Sequence, residues 1–239
     1  MNDVSQVEAL LFDVFGTVVD WRSGVIRELE TFGASKGLSL DWALLADEWR
    51  GLYQPAMEEI RTGRRPWTIL DILHRENLET VLARHGLRDL TEEDKDELTR
   101  AWHRLPPWPD TVAGLTRLKQ KFIIGTLSNG NVGLMTRLAK NAGLPWDVIL
   151  GAEVARAYKP QPEAYRRSAE ILTLPRHKVM LVAAHSSDLA AAAKEGLCTG
   201  FVARPREYGP AKQADVATPG DWDIVADSFT SLADALGCP

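Results

Sequence analysis

The stretch that decides the fold is residues 9–17, which reads Ala-Leu-Leu-Phe-Asp-Val-Phe-Gly-Thr. Its first four residues are apolar and predict a strand buried on both faces, as in a parallel sheet. Asp13 follows this strand directly, and Gly16 permits a tight turn after it. Ligands of open α/β sheets bind beyond the carboxyl ends of the strands, so Asp13 is the first candidate for a functional site. It could equally well cap the turn.

Further short apolar runs alternate with helix-like segments along the chain. Strands are predicted at residues 122–127, 179–184, 200–202 and, from a weaker pattern, 222–225. Helices with apolar residues about 3.6 positions apart are predicted at 132–142, 163–171, 187–195 and 228–236. Gly143 and Gly196 are typical helix ends. This alternation predicts an α/β fold with a doubly wound, mainly parallel, Rossmann-like sheet.

The chain between the first two predicted strands has long helical patterns and no convincing strand. The helical patterns cover residues 42–60, 67–85 and 92–105. We therefore expect a helical cap, residues 21–105, inserted after the first strand. The α/β core would then consist of residues 1–20 and 106–239.

The composition excludes several classes of protein. The 239 residues are 45% hydrophobic and 26% charged, as in an ordinary globular protein. No apolar stretch approaches the roughly 20 residues of a membrane span, and the N-terminus does not resemble a secretory signal. A net charge of −5 argues against nucleic acid or an anionic membrane as a partner. Two cysteines without a Cys-x-x-Cys pair favour a cytoplasmic location.

Polar residues also follow the later strands. The second strand leads into Ser128 and Asn129, which could bind an anion at a helix N-terminus or simply cap the helix. Lys159 precedes a proline, where a surface charge is the plain alternative. The third strand leads into His185 and Asp188, of which Asp188 could also cap the following helix.

Each of these residues has an ordinary structural explanation when it is taken alone. Their order is far more specific: Asp-x-Phe-Gly-Thr, then Ser-Asn, then Lys-Pro, then a strand followed by His and Asp. That ordered set resembles the haloacid dehalogenase superfamily over nearly the whole chain. The resemblance also implies a helical cap between the first and second motifs.

Two positions indicate the branch of the superfamily. Phosphatases in it have an Asp where this chain has Phe15, and that Asp protonates the leaving group. They also have Gly-Asp in place of Ala183 and Ala184, and this Asp helps to hold magnesium. Phe15 cannot donate a proton. An aromatic residue there, together with Tyr165 after the Lys-Pro motif, resembles the type II 2-haloacid dehalogenases.

The resemblance implies a hydrolase that acts on short 2-haloalkanoic acids, such as haloacetate and 2-halopropionate. Asp13 would displace halide and form an ester, which water would hydrolyse to a 2-hydroxy acid. A halide is a weak base that leaves without protonation, which is consistent with Phe15. The resemblance implies a small-molecule substrate, no cofactor and no metal. A homodimer is a further expectation, because related enzymes are commonly dimers.

The resemblance also implies roles for the core residues. Lys159 would lower the pKa of Asp13 and keep it ionised. His185 and Asp188 would orient or activate the water. Three small residues would hold the substrate carboxylate and steady Asp13: Thr17, Ser128 and Asn129.

The cap and the pocket walls complete the predicted site. Arg50 would contact the departing halide, with Trp49 beside it. Phe15, Trp67 and Tyr165 would line the substrate pocket. The plain alternative for Arg50 is a charge on the helix surface, and for Trp67 a buried aromatic residue without a role.

Two residues depart from the better-known dehalogenase pattern, in which Asn and an aromatic residue occupy the positions of His185 and Ser187. His185 adds a group that can titrate near neutral pH, and Ser187 changes the pocket volume. Two other functions stay open: a magnesium-dependent phosphatase for small metabolites from the same superfamily, and a non-catalytic member that binds a carboxylate or a partner.

Overall fold

The parallel sheet is the framework of the protein. The computed structural model describes residues 3–211 and 213–239. Within these ranges six strands form one sheet: β1 (Ala9–Phe12), β2 (Ile123–Ser128), β3 (Val148–Gly151), β4 (Val179–Ala183), β5 (Cys198–Val202) and β6 (Ile224–Ala226). Their order is β3-β2-β1-β4-β5-β6 and every pair is parallel. This is a doubly wound order, and it confirms the predicted α/β class.

The sequence analysis missed β3 and placed the bounds of the other five strands within two residues of those observed. Val148–Gly151 is only four residues long and its first two residues are half-buried, so it has no long apolar run to reveal it. β5 begins at Cys198, two residues before the predicted start. β6 covers Ile224–Ala226, whereas the weak pattern pointed to 222–225.

Helices fill the chain between β1 and β2, and all of them except the last lie within residues 21–105, where the helical insertion was expected. They are α1 (Trp21–Lys36), α2 (Trp42–Gly51), α3 (Tyr53–Arg61), α4 (Leu70–Arg84), α5 (Glu92–Thr99) and α6 (Thr111–Leu118). The predicted helix at 42–60 is two helices that meet at Leu52. Pro55 explains the break, because its ring would clash with the carbonyl group four residues earlier. α1 was missed, although Asp20 caps it through the Ser23 N–H.

The remaining helices flank the later strands of the sheet. They are α7 (Val132–Ala142), α8 (Ala152–Ala155), α9 (Pro162–Ile171), α10 (Ser186–Lys194) and α11 (Phe229–Ala235). Short 3₁₀ segments cover Val4–Gln6, Arg100–His103, Arg176–Lys178 and Gly209–Ala211. Gly143 ends α7 with a φ of 66°, as predicted. None of the helices in residues 3–211 and 213–239 is long and apolar enough to cross a membrane.

Both faces of the sheet are buried. Leu10 and Phe12 of β1 belong to one apolar cluster, whereas Leu11 points to the opposite face and belongs to another. The first cluster continues into the inserted helices, where it includes Trp49 and Trp102. The division into a core of residues 1–20 and 106–239 and a cap of residues 21–105 stays a prediction.

Removing the Phe12 ring should destabilise the protein because the ring is fully buried and contacts Trp146 and Phe229 at centroid distances of 5.4 Å. We expect Phe12→Ala to lower the free energy of unfolding by about 3–5 kcal/mol. Ile123→Ala, at a side chain 40% exposed on β2, should cost only about 1–2 kcal/mol. Urea unfolding of both variants measures the difference, and equal losses would contradict this view of the core.

Candidate active site

Asp13 lies at the carboxyl end of β1, where the first turn of the following loop fixes its carboxylate. The Thr17 hydroxyl donates to Asp13 Oδ2 at 2.8 Å, and the Ala184 N–H donates to Thr17 Oγ1 at 2.9 Å. Gly16 allows the turn, since its φ of +90° is unfavourable for residues with a side chain. Asp13 is 8% exposed and is therefore nearly buried.

Lys159 joins Asp13 to Asp188. Its Nζ lies 2.9 Å from Asp13 Oδ1 and also donates to Asp188 Oδ2. The Tyr165 hydroxyl donates to the second oxygen of Asp188 at 2.7 Å. The Lys159 backbone is held as well, because its N–H donates to Asn129 Oδ1 at 2.9 Å. Asp13, Asn129 and Asp188 follow β1, β2 and β4, and Lys159 lies in the loop between α8 and α9. These groups thus meet at the carboxyl edge of the sheet.

The buried charges keep one another ionised. Burial alone would raise the pKa of Asp13, but the Lys159 ammonium and the His185 ring outweigh it and hold that pKa below its ordinary value. Burial alone would lower the pKa of Lys159, but Asp13 and Asp188 raise it. Asp13 is therefore a carboxylate and Lys159 an ammonium at neutral pH.

His185 bridges Asp13 to a residue that the sequence analysis did not find. His185 Nδ1 lies 3.1 Å from Asp13 Oδ2, and Nε2 lies 2.9 Å from Glu207 Oε2. Burial alone would lower the pKa of His185, but hydrogen bonds to the two carboxylates raise it to about 10. The expectation that His185 titrates near neutral pH is therefore wrong for the free enzyme. Glu207 lies in the proline-containing stretch 205–220, which has no periodicity that would identify it.

A cavity of about 320 Å³ opens beside Asp13. Eight predicted site residues line it: Asp13, Phe15, Arg50, Asn129, Lys159, Tyr165, His185 and Asp188. The sequence analysis did not name four others as site residues: Tyr53, Gln54, Tyr208 and Asp215. Tyr53 follows Arg50 by three positions, so helical spacing could have identified it.

Four predicted site residues lie outside the cavity wall. Thr17 and Ser128 are completely buried, Thr17 against Asp13 and Ser128 as acceptor for the Gly130 N–H. Trp49 is buried in the inserted helices, where its indole N–H donates to the His74 carbonyl at 2.9 Å. Trp67 stacks on Tyr158 with ring centroids 4.8 Å apart. Neither Trp side chain therefore lines the cavity, and the expectation that Trp67 forms part of its wall is wrong.

Arg50 is the cation on the side of the cavity formed by the inserted helices. Its guanidinium carbon lies 4.0 Å from the centre of the Tyr53 ring and 5.2 Å from that of Trp21. Within residues 3–211 and 213–239, the buried Nη1 of Arg50 has no hydrogen-bond partner. A cation among aromatic faces with an unused donor is suited to a small anion.

Comparison with known proteins decides the family. The model of the haloacid dehalogenase-like hydrolases matches residues 7–196. This chain belongs to that family. It is therefore a hydrolase, and the resemblance found in its motifs is confirmed.

Relatives of this family member cover almost its full length. It is similar to (S)-2-haloacid dehalogenase 4A of Burkholderia cepacia, with 29% identity over 96% of this chain and 100% of that protein. It is also similar to the crystal structure of a defluorinating L-2-haloacid dehalogenase, with 50% identity, a TM-score of 0.94, and 97% and 96% of the two chains covered. A second L-2-haloacid dehalogenase structure has 46% identity and a TM-score of 0.91, with 96% and 99% covered.

The site residues do not fit the magnesium ion that the phosphatase pattern of this superfamily requires. The Lys159 ammonium donates to both Asp13 and Asp188, so it occupies the position between the two carboxylates. Ala184 stands where a further carboxylate would be needed. Among residues 3–211 and 213–239, no group of three or more His, Cys, Asp or Glu side chains could hold a metal ion.

The pKa values of His185 and His74 in this family member should lie on opposite sides of the pKa of an ordinary histidine. His185 should stay an imidazolium until the pH approaches about 10, because its raised pKa favours the protonated ring. His74 should stay neutral down to about pH 3, because burial lowers its pKa. An NMR titration of the ring resonances measures both, and a His185 midpoint near 6.5 would contradict the two-carboxylate environment.

Proposed function

We propose that this chain is a hydrolytic dehalogenase for short 2-haloalkanoic acids, such as haloacetate and 2-halopropionate. One observation carries the proposal: the nearly buried Asp13 carboxylate bonds to Lys159 and His185 at the wall of a small cavity. Phe15 stands where a phosphatase would need its proton donor. The relatives described above are 2-haloacid dehalogenases, and this supports the same reaction.

The first step would be a displacement at the carbon that bears the halogen. Asp13 Oδ2 already accepts hydrogen bonds from Thr17 and His185, whereas Oδ1 is held by Lys159 alone. We therefore assign Oδ1 as the attacking atom. Its lone pair forms the bond to carbon while the carbon–halogen bond breaks, and the halide leaves with the bonding pair. Water then hydrolyses the Asp13 ester to a 2-hydroxy acid.

The departing halide would be stabilised by Arg50. The unpartnered Nη1 of Arg50 is buried, so its attraction for an anion is weakly screened by water. The Tyr53 ring, 4.0 Å from the guanidinium carbon, holds Arg50 in place. A preorganised donor of this kind stabilises charge that develops in the transition state.

The substrate carboxylate would lie at the opposite end, against Asn129 and the first turn of α10 at Ser187. Both residues line the cavity, and the N-terminus of a helix attracts anions. A volume of about 320 Å³ is at the small end of ligand sites, so short acids should be preferred. A homodimer and a cytoplasmic location stay predictions.

Replacing Asp13 by Asn should abolish halide release from chloroacetate and 2-chloropropionate, because a neutral amide is a poor nucleophile. Halide release by the unmodified enzyme should not change when EDTA is added. Ion chromatography of halide, with both enantiomers of 2-chloropropionate, makes the measurement. Lys159→Met should also lose activity, since Asp13 would lose its main counter-ion.

A phosphate ester with added magnesium is the control for the phosphatase alternative. Phosphate release that requires magnesium, together with no halide release, would overturn the proposed function. No turnover of either substrate, with tight binding of 2-chloropropionate, would favour a non-catalytic carboxylate-binding protein.

Arg50→Leu should lower kcat by about 10²–10³-fold, since it removes a donor that acts on developing charge. The effect on KM should be smaller, because the halide is still uncharged in the ground state. Arg64→Leu is the matched control: Arg64 is exposed, pairs with Glu59 and lies outside the cavity wall. Steady-state kinetics with 2-chloropropionate measures both variants. Equal kcat values for the two variants would refute the halide role of Arg50.

A further inference from the structure

Glu207 is a buried carboxylate that the two chemical steps above do not use. It is 1% exposed, and both of its oxygens lie within 3.1 Å of His185 Nε2. The opposite ring nitrogen, Nδ1, lies 3.1 Å from Asp13 Oδ2. Glu207, His185 and Asp13 thus form a continuous line of hydrogen bonds that ends at the proposed nucleophile.

The surrounding chain holds Glu207 in this position. The Trp21 indole N–H donates to Glu207 Oε1 at 3.2 Å. Gly16 provides the space, because a Cβ atom at that position would lie 2.1 Å from Glu207 Oε1. The Glu207 carboxylate therefore has a fixed place behind the imidazole ring.

The charges around His185 determine whether its ring carries a proton or can accept one. The other titratable or charged side chains that line the same cavity are Asp13, Arg50, Tyr53, Lys159, Tyr165, Asp188, Tyr208 and Asp215. Only two carboxylates, those of Asp13 and Glu207, bond to the ring within residues 3–211 and 213–239. Formation of an ester would remove the charge of Asp13 and leave Glu207 as the one anionic partner of the ring.

We propose that Glu207 is a positioning residue that turns His185 into the base for ester hydrolysis once Asp13 has become an ester. The inference rests on the proposed dehalogenase function. Glu207 accepts the Nε2–H of the neutral ring, and this fixes the tautomer whose Nδ1 lone pair faces the Asp13 ester.

Protons are conserved over this series of steps. After the ester forms, the Nδ1 proton has lost its acceptor and leaves to solvent through the cavity. Nδ1 then takes a proton from water while the water oxygen bonds to Asp13 Cγ. The bond between Cγ and the alkyl oxygen breaks, and the alkoxide is protonated by the new Asp13 carboxyl. Each cycle thus releases one proton and one halide and restores the imidazolium between two carboxylates.

Asp188 is poorly arranged for this task. One of its oxygens accepts from Lys159 and the other from Tyr165. Its position suits it to hold the Lys159 ammonium. His185, by contrast, lines the cavity and lies beside the ester-forming carboxylate.

Glu207→Gln tests the inference, because it keeps the shape of the side chain and a hydrogen-bond acceptor while it removes the charge. Rapid mixing with 2-chloropropionate followed by acid quenching and intact-protein mass spectrometry measures the ester on Asp13. We expect the first-turnover halide burst to change little and the ester to accumulate. The steady-state kcat should fall by about 10²-fold, as for loss of a positioned base.

A pH profile separates positioning from a merely structural effect. The rate of ester hydrolysis in single turnover should rise with pH as His185 loses its proton. Because the Glu207 charge raises the pKa of the ring, its removal should move this rise to lower pH. His185→Asn should remove the rise. Glu8→Gln, which alters an exposed ion pair with Lys178, is the control and should behave like the unmodified enzyme.

Three results would overturn the inference. The first is an unchanged rate of ester hydrolysis in the Glu207→Gln variant. The second is a lower kcat of that variant without accumulation of the ester. An unshifted pH profile would leave Glu207 with a structural role alone. If the unmodified enzyme releases no halide and forms no ester, the proposed function itself fails, and that outcome is distinct because it does not depend on Glu207.

Discussion

The buried pairing of Lys159 with Asp13 and Asp188 is the interaction on which the rest of the site depends. A carboxylate that loses its water is unstable unless opposite charges and hydrogen bonds replace that water. Here an ammonium, an imidazolium and a hydroxyl surround Asp13. The same pairing leaves no room for a divalent cation between the carboxylates. A buried carboxylate that is held ionised in this way suits the nucleophilic attack that we propose for Asp13.

The parallel sheet makes this pairing feasible. Asp13 and Asp188, which are far apart in sequence, follow the neighbouring strands β1 and β4, and Lys159 reaches both from the loop between α8 and α9. The inserted helices then bring Arg50 to the opposite side of the cavity. Arg61 of the same insertion donates to the Lys159 carbonyl at 2.7 Å, so the insertion also fixes the loop that carries the ammonium. The nucleophile and the proposed halide site thus come from different parts of the chain.

Most of the sheet and the strand-end residues could be predicted because each depends on local sequence. Asp13, His185 and Asp188 directly follow buried strands or begin the next helix. Glu207 could not be predicted, since its partner His185 lies 22 residues away, on the other side of α10 and β5, and the stretch 205–220 that contains Glu207 has no periodicity. Trp67 was expected in the pocket wall, but it lies in the loop before α4 and stacks on Tyr158. Tyr158 is 91 positions away, so this contact depends on tertiary packing that the local sequence does not reveal.

The central claim is that the Asp13 carboxylate, and not water, attacks the substrate. A single turnover in water enriched in oxygen-18, with enzyme in excess over 2-chloropropionate, tests it directly. The label should enter the Asp13 side chain, as measured by mass spectrometry of the peptide, while the first 2-hydroxy acid formed stays unlabelled. Label in the product with an unlabelled Asp13 would mean that water attacks the substrate directly, and it would contradict the ester.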